Sequence, residues 1–124
     1  MLPNSLIVDS KPYDLEERTF QFSKAVASFV KKFPLTITNT EYVKQVVRSS
    51  ASPGANYIEA NESLGDKDFL MKIRTCRRES KETVYWLRLL IETNNSNFED
   101  DGKRLIQEAD ELKRIFSSII DKSS

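Results

Sequence analysis

The chemistry open to this chain is narrowed first by a missing residue: none of its 124 residues is histidine. That excludes Ser-His and Cys-His nucleophile systems, histidine general bases, His-x-x-x-His zinc sites and the Glu-x-x-His ligands of di-iron bundles. Ser80-Lys81 is a nominal nucleophile–base pair, but adjacent residues on a helix point about 100° apart and do not meet. Glu59, Glu62, Glu79 and Glu82 are carboxylates without a histidine among them, so pairing with Arg48, Asn56 or a lysine is expected in place of a metal. The lone cysteine, Cys76, excludes an internal disulfide and falls on an apolar helical stripe, which predicts a small buried core residue. No catalytic residue, metal site or cofactor is therefore assigned, and no enzymatic activity is expected.

The remaining chemistry lies in the arrangement of charge. Lys+Arg and Asp+Glu both number 19, so bulk charge favours neither a nucleic acid nor an acidic partner. Between residues 67 and 88, however, seven cations stand against three anions, a net +4 in a chain that sums to zero. On a helical wheel with Ile73 at zero, Lys67, Arg74, Arg78, Lys81, Tyr85 and Arg88 fall within roughly 60–140°. Asp68, Glu79 and Glu82 fall on the opposite flank at roughly 180–240°. A guanidinium-rich strip with a tyrosine inside it suits a nucleic-acid backbone, since Arg pairs phosphate oxygens bidentately and Tyr offers a stacking face. The same strip is also readable as a solvated face whose Arg78 and Lys81 pair with acids at 99–101 and 108–111, or as a surface for a neighbouring subunit or acidic partner.

The elements that must position this strip follow from hydrophobic period. Three glycines and four prolines are too few turn-formers for a many-stranded β fold. Residues 1–13 carry Pro3 and Pro12 without a sustained period and are expected to form a flexible arm, followed by one domain over 14–122. The first helix is predicted from an Asp14 cap, with Glu17 completing a capping box, to Phe33, on the seam Leu15, Thr19, Phe22, Val26, Phe29 and Phe33. After a Leu35–Thr38 linker, a second helix from about Thr40 to Leu64 carries Val43, Val47, Ser50, Gly54, Tyr57, Asn61 and Leu64, with Gly65 at C′. Pro53 in its middle predicts a kink, or else a break into two helices. The third, from an Asp66 cap to about Glu92, buries Phe69, Ile73, Cys76, Ser80, Thr83, Leu87 and Leu90. The fourth, after Asn94–Asn97, buries Phe98, Gly102, Leu105, Ala109, Leu112, Phe116 and Ile119.

Four amphipathic helices with short links predict an all-α, antiparallel up-down-up-down bundle. On the wheel Phe20, Trp86 and Leu89 turn away from the seams, making them candidates for a subunit interface, with Glu79 and Glu82 as its charged partners. No apolar run approaches the roughly 20 residues of a membrane span, and the amino terminus lacks the basic lead-in of a signal peptide. A soluble, cytoplasmic protein is expected.

The segments Tyr13–Ser23, Arg48-Ser49-Ser50-Ala51-Ser52-Pro53-Gly54-Ala55-Asn56-Tyr57-Ile58-Glu59-Ala60, Asp68–Ile73, Arg77–Thr83 and Tyr85-Trp86-Leu87 resemble the bacterial rRNA intervening-sequence proteins. That family includes the accessory variability determinant of diversity-generating retroelements. The resemblance covers about residues 13–92, and the Arg-Ser-Ser…Gly-Ala-Asn-Tyr run is its most specific part. It implies a four-helix bundle assembled as a ring of five, a basic surface and no enzymatic activity. Retroelement members of the family bind nucleic acid and a reverse transcriptase. Pro53 departs from the aliphatic residue expected at its position, which bears on the straightness of the second helix.

Overall fold

A computed structural model of the chain describes residues 14–123. The arm expected over residues 1–13 lies outside them. Four α-helices follow in order: α1 (Leu15–Val30), α2 (Ile37–Asn61), α3 (Asp66–Glu92) and α4 (Glu99–Ser123), with a short 3₁₀ turn, Ser96–Phe98, before α4. The fold is all-α.

Cross-helix contacts give the relative directions. Asn61 Nδ2 at the end of α2 donates to Glu16 at the start of α1 (3.1 Å). Asn39, early in α2, exchanges amide hydrogen bonds with Asn94, just beyond α3 (3.0 and 2.9 Å). Arg18 near the start of α1 reaches Glu108 and Glu111 in the body of α4, while Lys32 after α1 reaches Asp101 in its first turn. Each helix therefore runs against the neighbours it pairs with, and α1 closes the bundle against α4.

The seams of α1 and α3 are buried as their period predicts, apart from half-buried Phe69, and in α4 only the end residues Phe98 and Ile119 are half-exposed. The α2 seam is out of phase by one residue. Val46 is fully buried and Val47 is 41% exposed, with Ser49, Ser50, Pro53 and Ala60 completing the buried side. Two adjacent valines satisfy the same period, so the pattern alone did not choose between them. Leu64, expected on that seam, lies beyond the helix end and is fully exposed.

Helix ends differ from expectation for local reasons. The Asp14 side chain makes no capping bond, so the predicted capping box does not form. Regular α-helix stops at Val30, and the chain tightens through Lys32 N→Phe29 O and Phe33 N→Val30 O bonds that carry Phe33 into the core. Thr36, placed in the linker by sequence, caps α2 by accepting from Asn39 N (3.0 Å). Gly65 has extended backbone at the start of α3 and is not the C′ residue of α2. α2 itself continues through Pro53, so the two-helix reading does not hold. The Cys76 thiol donates to the Pro53 carbonyl at 3.3 Å.

Small residues set the α1–α2 distance. A Cβ built on Gly54 would stand 2.9 Å from Thr19 Oγ1 and 3.2 Å from its Cβ, so this crossing needs a residue without a side chain.

Candidate nucleic-acid interface

All six strip residues, Lys67, Arg74, Arg78, Lys81, Tyr85 and Arg88, are exposed. They lie on the outer face of α3, because α3 turns Thr83, Glu79 and Trp86 toward α2 and Ile91 toward α4. From Lys67 to Arg88 the strip runs about 32 Å along the helix axis.

Among the described residues no ion pair joins an acid of α4 to it. Glu108 and Glu111 hold Arg18, Asp101 holds Lys32, and Asp110 holds Lys113 and Arg114. On the strip, Arg78 approaches Glu79 of its own helix at 3.6 Å and Arg88 meets Glu92 at 3.3 Å, both contacts with the cation more than half exposed. The Arg88–Glu92 pair is exposed on both sides and contributes little, while the Arg78 contact is long and its carboxylate is held more closely by Arg48. Lys67, Arg74 and Lys81 have no ion-pair partner among the described residues. The predicted pairing of Arg78 and Lys81 with α4 is thus absent there.

Tyr85, 58% exposed, is braced in the middle of these cations. Its ring meets Trp86 edge-on at 5.2 Å and 79°, and Trp86 tilts against Tyr42 of α2 at 6.2 Å. Trp86 was expected to point away from the bundle; instead it is half-buried in the α2–α3 seam with its indole N–H sealed and unpartnered. Leu89 is also half-buried. Glu79 is 5% exposed and accepts from Arg48 Nη1 at 2.9 Å, while Glu82 accepts from Arg48 Nη2 at 3.2 Å. Both carboxylates are thereby engaged within the protomer. The cause is common to Trp86 and Glu79. A helix in a four-helix bundle has two flanking neighbours, so its buried arc is wider than one seam and extends on this side to α2.

Phe20 alone of the three apolar interface candidates is largely exposed, at 60%. It has company that the sequence reading missed. Thr19 touches the Gly54 backbone, so residues just outside these two positions flank one groove. Ala27 on α1 and Val47, Ala51, Ala55 and Ile58 on α2 are all exposed there with Phe20. Small and aliphatic residues recurring at helical spacing on the outward side of α2 were the available signal, obscured by placing Val47 in the core.

The other charged constellation is internal. Arg18, 4% exposed, donates from Nε and Nη2 to the two oxygens of buried Glu108, each at 2.8 Å, and Nη2 also meets Glu111 at 2.8 Å. The hydrogen bonds to Glu108 raise the affinity of the guanidinium for its proton above the ordinary value. Burial pushes the Glu108 carboxyl above the usual carboxylate range even with Arg18 beside it. Arg18 Nη1 is buried without a partner. Burial likewise pushes the Cys76 thiol up to about 12, so it is not a reactive thiolate. Among the described residues no group of three or more Cys, Asp or Glu side chains gathers to hold a metal ion, and no helix is long and apolar enough to cross a membrane.

Comparison with known proteins places this geometry in context. A family model described as 23S rRNA-intervening sequence protein matches residues 12–118. Among solved structures, the chain is similar to a protein of unknown function from the S23 ribosomal protein family of Bacteroides thetaiotaomicron VPI-5482. The two are 27% identical with a TM-score of 0.74, over 85% of this chain and 96% of that one. No curated protein matches.

Proposed function

Because the chain belongs to the 23S rRNA-intervening sequence protein family, we propose that it is a non-enzymatic, homo-oligomeric cytoplasmic module that binds nucleic acid along the outer face of α3. One observation carries the reading: among the described residues no ion pair joins an α4 acid to this face, Asp101, Glu108, Asp110 and Glu111 being engaged by Lys32, Arg18, Lys113 and Arg114, and five exposed cations line one side of one helix. Lys67, Arg74, Arg78, Lys81 and Arg88 contact phosphates, and Tyr85 supplies a stacking face. Five phosphate contacts on a single strand give a slope of log affinity against log salt of about −3.5.

The oligomeric part rests on the exposed groove of Phe20, Ala27, Val47, Ala51, Ala55 and Ile58, covered by a second copy. A ring of five, as the resemblance implies, would repeat the α3 strip around the assembly and multiply its phosphate contacts. The exposed strip also supports a second reading, a protein-interaction scaffold in which the charged strip itself serves subunit or partner-protein contacts, with a reverse transcriptase as one such partner.

The test is a salt-titrated anisotropy assay with mixed-sequence RNA and DNA oligomers of about 20 nucleotides, joined to light scattering. Arg74→Glu with Arg78→Glu is expected to lower affinity tenfold or more, which is about 1.4 kcal/mol, with helical content and assembly intact. Unchanged affinity at low salt excludes the strip as the binding surface. A wild-type protein that binds neither oligomer, and a double variant that loses its assembly, would favour the scaffold.

A further inference from the structure

We propose that the α3 strip takes single-stranded nucleic acid in preference to a duplex, with one base stacked on Tyr85; this rests on the nucleic-acid reading above. The inference comes from the asymmetry of the strip. Its five cations lie on one side of the outer face of α3, within roughly 60–140° of the helical wheel. The other side, at roughly 180–220°, carries Glu82 and Asp68, whose 41% and 50% exposed side chains are ion-paired with Arg48 and Lys72, so it offers paired charges and no row of free cations. A helix laid in a duplex groove has a phosphate backbone on each flank. Here one of those backbones would face carboxylates whose cations are already engaged. A single strand has one backbone, and a one-sided row of cations matches it.

The bundle adds a steric reason. α3 is held between α2 and α4, with Trp86 and Glu79 packed toward one and Ile91 toward the other. It is a ridge on a wider surface, and a groove about 12 Å across admits an isolated helix but not its neighbours as well.

Tyr85 completes the argument. In a duplex the faces of the bases are covered by their neighbours, so an exposed ring at the centre of a phosphate-binding row has nothing to stack on. In a single strand every base has an available face. The ring is also pre-positioned: Trp86 stands against it edge-on, and Tyr42 of α2 backs Trp86. Lys81 lies one helical turn before Tyr85 and Arg88 lies just under one turn after it. A stacked base would therefore have a cation for the phosphate on either side.

The experiment compares a 20-nucleotide single-stranded DNA with a B-form DNA duplex of the same length, in the same low salt, against wild type, Tyr85→Ala and Tyr85→Phe. Wild type is expected to bind the single strand at least roughly tenfold tighter per molecule. Tyr85→Ala is expected to lose roughly tenfold on the single strand and nothing on the duplex, and Tyr85→Phe to stay near wild type. Tyr85 is exposed, so these variants do not threaten the fold. Duplex bound as tightly as single strand overturns the proposal, as does a Tyr85→Ala variant that weakens both ligands equally or neither. Those outcomes leave the α3 strip standing as a general phosphate-binding surface. A wild-type protein that binds neither ligand, or whose binding survives Arg74→Glu with Arg78→Glu, overturns the broader reading along with this one.

Discussion

Two sets of guanidinium groups in this molecule have opposite fates. Arg18 is inside, held by both oxygens of Glu108 and by Glu111 across the α1–α4 seam. Arg74 and Arg78 are outside, on a face where no α4 carboxylate reaches them. The inner charge is part of what closes the bundle, because removing either partner leaves the other buried and unpaired. The outer charges contribute little to the fold beyond a long Arg78–Glu79 contact, and their clustering costs repulsion. A chain that sorts its cations this way uses some for architecture and leaves others exposed.

The contrast is broken most directly at Arg18. Arg18→Met strands Glu108 in the core and is expected to cost about 3–5 kcal/mol in urea denaturation. Adding Glu108→Leu should recover most of that loss, since a packed apolar pair often equals a buried ion pair. No recovery would show that the ionic grip is worth more than an apolar substitute. Gly54→Ala comes next. The methyl group meets Thr19, and overpacking of about 1–3 kcal/mol is offset by about 1 kcal/mol of helix propensity, leaving a net loss of up to about 2 kcal/mol in the same assay.

Smaller still is the Lys32–Asp101 pair at the far end of the α1–α4 seam, 3.0 Å apart and partly exposed. The hydrogen bond from Lys32 holds the Asp101 carboxyl below its ordinary value. A carboxylate depressed in the folded state adds stability that is full above the unfolded value of about 3.9 and is lost as the pH falls through the folded one. Lys32→Met should therefore cost at most about 1 kcal/mol at pH 7 and progressively less below about pH 4. The smallest effect is expected from Arg74→Glu with Arg78→Glu, whose unfolding free energy should change by less than about 0.5 kcal/mol while nucleic-acid affinity falls. A large destabilisation there would erase the distinction between the two sets.

The parts of the fold that were legible in the sequence are those where one apolar stripe faces one seam. On α1, α3 and α4 the 4-3 spacing names most buried positions but misses Arg18, Val30, Glu79, Ile91, Glu108 and Ile120 beside the stripes, and the outer strip of α3 follows by elimination. What was not legible depends on which helices stand side by side. Trp86 and Glu79 sit off the apolar stripe of α3 and are covered only because α2 is there. The choice between Val46 and Val47 required the same knowledge. Arg18 left a trace that was passed over: it lies between Leu15 and Phe22 on the apolar side of α1, just as Glu108 lies between Leu105 and Leu112 on α4. Opposite charges embedded in two apolar stripes are a signal that the two helices meet.

Cys76 gives the molecule a built-in gauge of its own integrity. Its sulfur is wholly enclosed, holds its proton to a pH of about 12, and donates to the carbonyl of Pro53 on α2. A thiol-specific dye added in excess will therefore find nothing to react with while the rods stay closed. The pace of dye uptake then reads out how often they part, without any engineered label.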